Sequence, residues 1–367
     1  GFRLARAFGT RRLPPCGDGR HGVRSCCSHE GKVLALGLVP LFVMQVGWQV
    51  AGQSAHVLDG AGAAHGKAAL ISCNRAIDAC KKGSQWRQGL ALLAGMRLRG
   101  PPPDAISLGA TMAACARGRE WARALALLAE LRADLLEADA VCFNCAVSAC
   151  EKGRQWQHAL ALLAITLELS LGLNDIGCSA AISACEKCGQ WERALSLHAE
   201  MLLARCEATV ISYSAVISAC AKGEKWERAM QLLEEMRQRS VEANVVSYNA
   251  AVSACKQPGL WGLALQLFLE MLGLGLQADA ISYCSAIIAC ERSAEWEHAL
   301  RLLQELLDTG VRLDVTTCNA AISACEKGAQ WERAMALLSW MPSRRLSPDF
   351  ISHCSAISAC EKAGQWR

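Results

Sequence analysis

"VISYSAVISACAKGEKWERAMQLLEEMRQRSVEAN" (Val210–Asn244) decides the fold of this chain. Numbered 1 to 35, it carries Tyr213, Val216, Ile217 and Cys220 at positions 4, 7, 8 and 11. That spacing puts an apolar stripe on one side of a helix. Gly223 at position 14 interrupts the pattern, as a glycine does near a helix end. A second stripe follows from Trp226: Ala229, Met230, Leu232, Leu233 and Met236. Trp226 shares its side of that helix with Ala229 and Met230, so it reads as a wedge between the two helices of a hairpin. Each helix is near the lower length limit for a helix standing alone. The hairpin therefore needs neighbours.

The neighbours are spelled out in the sequence. Cys80, Cys115, Cys150, Cys185, Cys220, Cys255, Cys290, Cys325 and Cys360 stand 35 residues apart, and tryptophans keep the same step from Trp86 to Trp366. A fixed period of this length signals a solenoid, in which each unit buries its flanks on the units beside it. The expected fold is all-α, a right-handed α-solenoid of stacked helix-turn-helix hairpins. Eight units run from 70 to 349 and a truncated ninth covers 350–367. The chain begins without Met and stops inside a unit, which reads as a piece of a longer protein. Twenty-one cysteines would suggest a disulfide scaffold in a small secreted protein. Here nine of them fill one slot, which suits a small buried side chain in reduced form. The pairs Cys142/Cys145 and Cys185/Cys188 lack the flanking ligands of a zinc pattern, and no cofactor is expected.

Positions that do not serve the hairpin vary in an ordered way. On the first helix, positions 5, 9 and 13 line one face, a turn apart. Position 13 is basic in eight of nine units: Lys82, Arg117, Lys152, Lys187, Lys222, Arg292, Lys327 and Lys362, with Gln257 the exception. Position 9 is mostly serine. Position 5 changes along the chain: Asn74, Gly109, Asn144, Ser179, Ser214, Asn249, Cys284 and Asn319. Position 35 changes among acceptor-bearing residues: Asp104, Asp139, Asn174, Thr209, Asn244, Asp279, Asp314 and Asp349. Position 2 is β-branched throughout: Ile71, Ile106, Val141, Ile176, Ile211, Val246, Ile281, Thr316 and Ile351.

A constant scaffold with a variable polar pair and a row of cations suits a repeating anionic polymer with variable units. Single-stranded nucleic acid is such a polymer, with Lys and Arg meeting its phosphates. The other reading of the same residues is a solvated basic face, with Asn and Asp acting only as helix caps and turn residues.

The chain resembles the pentatricopeptide repeat family, in its plain 35-residue class. The resemblance covers Leu70–Arg367 and rests on "VVSYNAAVSAC" (Val245–Cys255), on the alanine of "WERAM" and "WEHAL", on "EEM" at positions 25–27 and on the closing Asp. The period of 35 and the tryptophan opening the second helix separate it from tetratricopeptide repeats. What the resemblance implies is single-stranded RNA binding, one nucleotide per unit, with positions 5 and 35 choosing the base and position 2 clamping it. On that basis Asn74/Asp104, Asn249/Asp279 and Asn319/Asp349 imply uracil, Asn144/Asn174 a pyrimidine and Ser214/Asn244 adenine. Gly109/Asp139, Ser179/Thr209 and Cys284/Asp314 leave their bases open. The implied order is 5′-U-?-Y-?-A-U-?-U-3′.

The expected partners are single-stranded RNA and other RNA-processing factors, with no small-molecule substrate, and the expected state is a monomer. A protein-binding α-solenoid is the alternative. No catalytic role is expected, since neither an H-x-E with a following P-C-x-x-C nor an acidic nuclease cluster stands out. Charge sets a limit: residues 70–367 hold 30 basic and 31 acidic side chains, so the net +4 comes from the leader. Glu at position 12 (Glu151, Glu186, Glu291, Glu326, Glu361) adjoins the cations and would blunt them.

Residues 1–69 are not repeat-like. "GFRLARAFGTRRLPP" (Gly1–Pro15) is Arg-rich and free of acids, the composition of an organelle transit peptide. This implies a chloroplast or mitochondrial address. "VLALGLVPLFVMQVGW" (Val33–Trp48) is apolar but short and broken by Pro40 and Gln45 for a spanning helix. It reads as a signal-anchor or as the apolar part of a composite leader.

Overall fold

The computed structural model describes residues 66–365, apart from 134–138, 170 and 173. The transit-peptide-like stretch and the apolar run 33–48 lie outside the described residues, as does Trp366. Among the described residues there are 17 α-helices and no strand. In chain order they are α1 (Gly66–Lys82), α2 (Trp86–Arg99), α3 (Ala105–Arg117), α4 (Trp121–Ala133), α5 (Ala140–Lys152), α6 (Trp156–Glu168), α7 (Asp175–Lys187), α8 (Trp191–Leu203) and α9 (Val210–Lys222). They continue with α10 (Trp226–Gln238), α11 (Val245–Ala254), α12 (Trp261–Gly273), α13 (Ala280–Arg292), α14 (Trp296–Asp308), α15 (Val315–Lys327), α16 (Trp331–Trp340) and α17 (Phe350–Lys362). Odd-numbered helices are the first of each hairpin and even-numbered ones the second. α1 starts at Gly66, so the first helix reaches back beyond the repeat boundary expected at Leu70.

The described residues fall into two compact units, one ending at Ala184 and one beginning at Cys185, with the division inside α7. In the first unit α1, α3 and α5 pack in a row, each against its own second helix, and α2 and α4 also touch the next first helix. In the second unit α9, α11, α13, α15 and α17 form such a row, backed by α10, α12, α14 and α16. Stacked hairpins of this kind are the expected α-solenoid architecture.

The stripes that the sequence announced are the core. Tyr213, Val216, Ile217 and Cys220 are fully buried, as are Ala229, Leu233 and Met236, while Met230 is half-buried. Each large side chain so buried contributes about 1.5–3 kcal/mol. The cysteine slot is buried from Cys80 to Cys325, and all described cysteines are free thiols. Burial pushes Cys115, Cys220, Cys255 and Cys325 up to about 11 and Cys150, Cys185 and Cys290 up to about 12. Such thiols stay protonated and apolar at neutral pH, which suits packing and not metal binding.

Two details of the hairpin go beyond the sequence reading. Gly223 is the C-cap of α9, near the helix end as expected, but its φ is −86° and not left-handed. The left-handed residue is the next one, Glu224 (φ 55°). The amide of Lys225 then donates to the Cys220 carbonyl at 2.9 Å. This is a Schellman ending, repeated at Gln85, Gln155, Gln190, Glu295 and Gln330. The glycine is needed for another reason. A Cβ on Gly223 would lie 2.4 Å from Cδ1 of Trp191, and on Gly118, Gly153 and Gly328 it would meet Trp86, Trp121 and Trp296 as closely. So the tryptophan reaches beyond its own hairpin and seats on the glycine of the next one. The next unit also supplies a cation over some of these rings: Arg123 lies 4.1 Å from the Trp86 centroid and Arg333 4.4 Å from that of Trp296.

Candidate nucleic-acid interface

Position 35 is the N-cap of the following first helix. The side chains of Asp104, Asp139, Asn174, Thr209, Asn244, Asp279, Asp314 and Asp349 each accept from the backbone N–H three residues on. The capping reading of this position therefore holds in every described unit. Position 5 completes the arrangement. Nδ2 of Asn74, Asn249 and Asn319 donates to an Oδ1 of Asp104, Asp279 and Asp349 at 3.3, 3.1 and 3.0 Å. The three units assigned the same base thus share one Asn–Asp hydrogen bond.

Position 3 of the next unit, which the sequence reading missed, fixes the pair. Oγ of Ser107 and Ser352 donates to Oδ1 of Asn74 and Asn319 at 2.6 and 2.5 Å, and their amides donate to the cap. Asn249 differs: Ser282 bonds Asp279 as Ser107 and Ser352 bond Asp104 and Asp349, but it makes no bond to Asn249, whose Oδ1 is buried without a partner. Burial opposes ionisation of Asp104, Asp279 and Asp314, but hydrogen bonds from Ser107, Ser282 and the pair Thr316/Thr317 outweigh it and lower each pKa. Hydrogen bonds from Ser352 lower that of Asp349.

The other pairs are built differently. Ser214 meets the Ser247 hydroxyl at 2.8 Å, and Ser247 in turn is held by Asn244. Asn144 and Asn174 both close on Gly177, where a Cβ would lie 2.7 and 3.0 Å from their Oδ1 atoms. Gly109 offers no side chain beside the Asp139 cap, and Cys284, beyond Asp279, is half-buried. Position 5 is thus recessed: Ser179, Ser214, Asn249 and Asn319 are 7–8% exposed.

Position 2 is the opposite. Ile71, Ile106, Val141, Ile176, Ile211, Val246, Ile281 and Ile351 are 53–70% exposed, and Thr316 is exposed as well. From α3 onward it lies on the first turn of the first helix, three residues before position 5 and two after the cap, so all three share that end.

The cations at position 13 do not form the free row expected for phosphate binding. In the second unit Lys222, Lys327 and Lys362 pair with Glu186, Glu291 and Glu326, the position-12 acids of the preceding repeats, at 2.5, 2.7 and 3.0 Å. The same carboxylates accept from the position-9 hydroxyls of Ser218, Ser323 and Ser358. In the first unit Lys82 pairs with Asp78, and Arg117 donates to the Lys81 carbonyl. Lys152 and Arg292 are exposed, and Lys187 is half-buried. The position-12 acids belong to this edge as fully as the lysines do. Among the described residues no group of three His, Cys, Asp or Glu is placed to hold a metal ion.

Family models agree with the period. The PPR repeat family matches residues 208–257, the pentatricopeptide repeat domain 301–362, and the PPR repeat 178–206 and 246–276. The chain is a pentatricopeptide repeat protein. Comparison with curated proteins gave no match. Among solved structures, the pentatricopeptide repeat protein PPR10 from maize matches at 20% identity and a TM-score of 0.49, covering 81% of this chain and 47% of that one. PPR10 bound to an 18-nucleotide psaJ RNA element matches at 15% identity and a TM-score of 0.47, covering 81% and 53%. The PPR domain of Arabidopsis thaliana protein-only RNase P 1, in complex with tRNA, matches at 12% identity and a TM-score of 0.37, covering 40% and 78%. The chain thus spans about half the length of the PPR10 structures.

Proposed function

We propose that this pentatricopeptide repeat chain binds single-stranded RNA along the N-terminal ends of its first helices, one base per repeat. The observation that carries this reading is the slot at position 2. A solenoid gains nothing from leaving an aliphatic side chain in water at the same place in eight of nine repeats, and a flat apolar base face would cover it. Beside it, an Asn of the three Asn/Asp pairs spends one amide hydrogen on its Asp and keeps one. That hydrogen can donate to a uracil carbonyl, and the second carboxylate oxygen can accept from the uracil N–H. At about 1–3 kcal/mol per base, by analogy with base contacts in DNA, five readable pairs give modest specificity.

Binding acts by occupancy, shielding the transcript or remodelling it for other factors. The leader directs the protein to a chloroplast or mitochondrion, where it serves RNA processing, stability or translation. A reporter carrying residues 1–69 that stays in the cytosol would overturn that address. For binding itself, Ile211, Val246 and Ile281 are changed together to Ser. The expected result is at least a tenfold loss of RNA affinity with an unchanged melting temperature, and selection from random RNA by the unaltered chain should return U at the first, sixth and eighth places. Unchanged affinity in the variant defeats the reading.

The ion pairing of the position-13 lysines favours a second reading, a scaffold that docks a protein on the same aliphatic slot. It predicts that the unaltered chain ignores unpaired RNA at moderate salt.

A further inference from the structure

One stretch of the second unit lacks the acid–lysine clasp. α11 ends at Ala254, three residues before its siblings, because Pro258 stands where they carry a residue with a donor N–H. Position 12 is Lys256 here, not Glu. Its counterpart at position 13 of the next repeat is Arg292. On the other side, position 12 of the preceding repeat is Ala221, so Ser253 has no carboxylate to bond. These three side chains line one cleft of about 360 Å³. Neither Lys256 nor Arg292 makes an ion pair with any described residue. Glu224 lines the cleft too, and its carbonyl accepts from Gln257. Lys222, at the rim, is held by Glu186.

We infer that this cleft is an anion site for one phosphate group, taken from the backbone of a bound single strand and held by Lys256, Arg292 and the Ser253 hydroxyl. In the second unit Lys222, Lys327 and Lys362 each meet an acid of the preceding repeat that neutralises them. Here Lys256 and Arg292 line one cleft with no acid paired to either, Glu224 standing among the lining residues. Burial lowers the pKa of Lys256, and the neighbouring Arg292 lowers it further, while the Cys284 thiol acts the other way. A bound phosphate relieves that repulsion and offers an oxygen to each donor, with the guanidinium fork and the ammonium in their ordinary roles. Ser253 lies one turn from Asn249 on the same helix face, which puts the phosphate beside the base assigned to the sixth repeat.

The site rests on the RNA reading above, and the experiment separates their failures. Affinity for a uridine-rich single-stranded RNA is measured against salt for the unaltered chain, for Lys256→Gln with Arg292→Gln, and for Arg301→Gln on the exposed face of α14. Inorganic phosphate is titrated as a second probe. The double variant is expected to bind about tenfold more weakly, with a salt slope shallower by about one, and Lys256→Arg should keep both, as Arg301→Gln should. Helical content by circular dichroism must match in all. RNA binding by the unaltered chain that the double variant shares overturns the site alone. Absence of RNA binding in the unaltered chain overturns the RNA reading and the site with it. Tight binding of inorganic phosphate that the double variant abolishes, with RNA affinity untouched, overturns the backbone source in favour of free phosphate.

Discussion

Repeats six and eight carry the same polar pair and differ at the far end of the first helix. Asn249–Asp279 and Asn319–Asp349 bond alike, at 3.1 and 3.0 Å. Yet α15 runs its full 13 residues to Lys327, which clasps Glu291, while α11 stops after 10 and leaves Lys256 and Arg292 without acids. The two ends of a first helix are therefore set independently. The cap and its asparagine fix the N-terminal end. Residues 12 to 14 and the tryptophan of the preceding repeat fix the C-terminal end, so one can be lost while the other persists.

The sharpest break in that contrast is Gly328→Ala. Its new methyl would collide with the Trp296 ring, and overpacking of this kind costs about 1–3 kcal/mol. Pro258→Gly, where no glycine stood, should cost no such strain. Urea unfolding of the second unit checks the pair, and equal stability of Gly328→Ala and the unaltered chain would dismiss the tryptophan seat.

Next in size is Asp279→Ala, expected to cost about 1 kcal/mol as a lost N-cap. The effect carries a pH signature. The folded pKa of Asp279 lies below its unfolded value, so its contribution is present above about pH 4 and fades as the pH falls through the folded pKa. Below that pH the variant and the unaltered chain should unfold at the same urea concentration. A stability gap that persisted at pH 2 would mean that the carboxylate is not the source.

The smallest change in stability is expected for Glu291→Gln with Glu326→Gln, under about 1 kcal/mol, because the pairs they break have exposed lysines. The change should still raise RNA affinity several-fold by freeing Lys327 and Lys362, bringing repeat eight closer to repeat six. Affinity that falls instead would show the clasp to be part of the binding surface.

Much of this was legible. Helix bounds, the buried stripes and the cysteine slot follow from period and hydropathy within a single repeat. The exposure of position 2 does not, since it lies outside the stripe and its aliphatic side chain could have been buried as readily. What stayed hidden depends on the offset between neighbours. Glu186 lies 36 residues from Lys222, a spacing that means nothing until adjacent hairpins are docked, and the tryptophan–glycine contact is hidden in the same way. The sequence placed acids beside cations and expected them to weaken the row. It could not show that each carboxylate reaches forward to one lysine and one serine. Position 3 was overlooked because its serine looks like an ordinary helix-start residue. The gap at repeat six could have been seen in "CKQPG" (Cys255–Gly259), where a lysine, a glutamine and a proline replace the usual residues together.

The tryptophan seated on the following glycine also bears on how such an array can grow. Each hairpin with a glycine at position 14 brings half of the joint with it at either end, whereas Cys188, Pro258, Ser293 and Ala363 stand there in repeats four, six, seven and nine. A crossover between two repeats that carry the glycine, in register, therefore yields a complete joint. Whole hairpins can be gained or lost by inheritance without refitting the neighbours, provided that the step is always 35 residues.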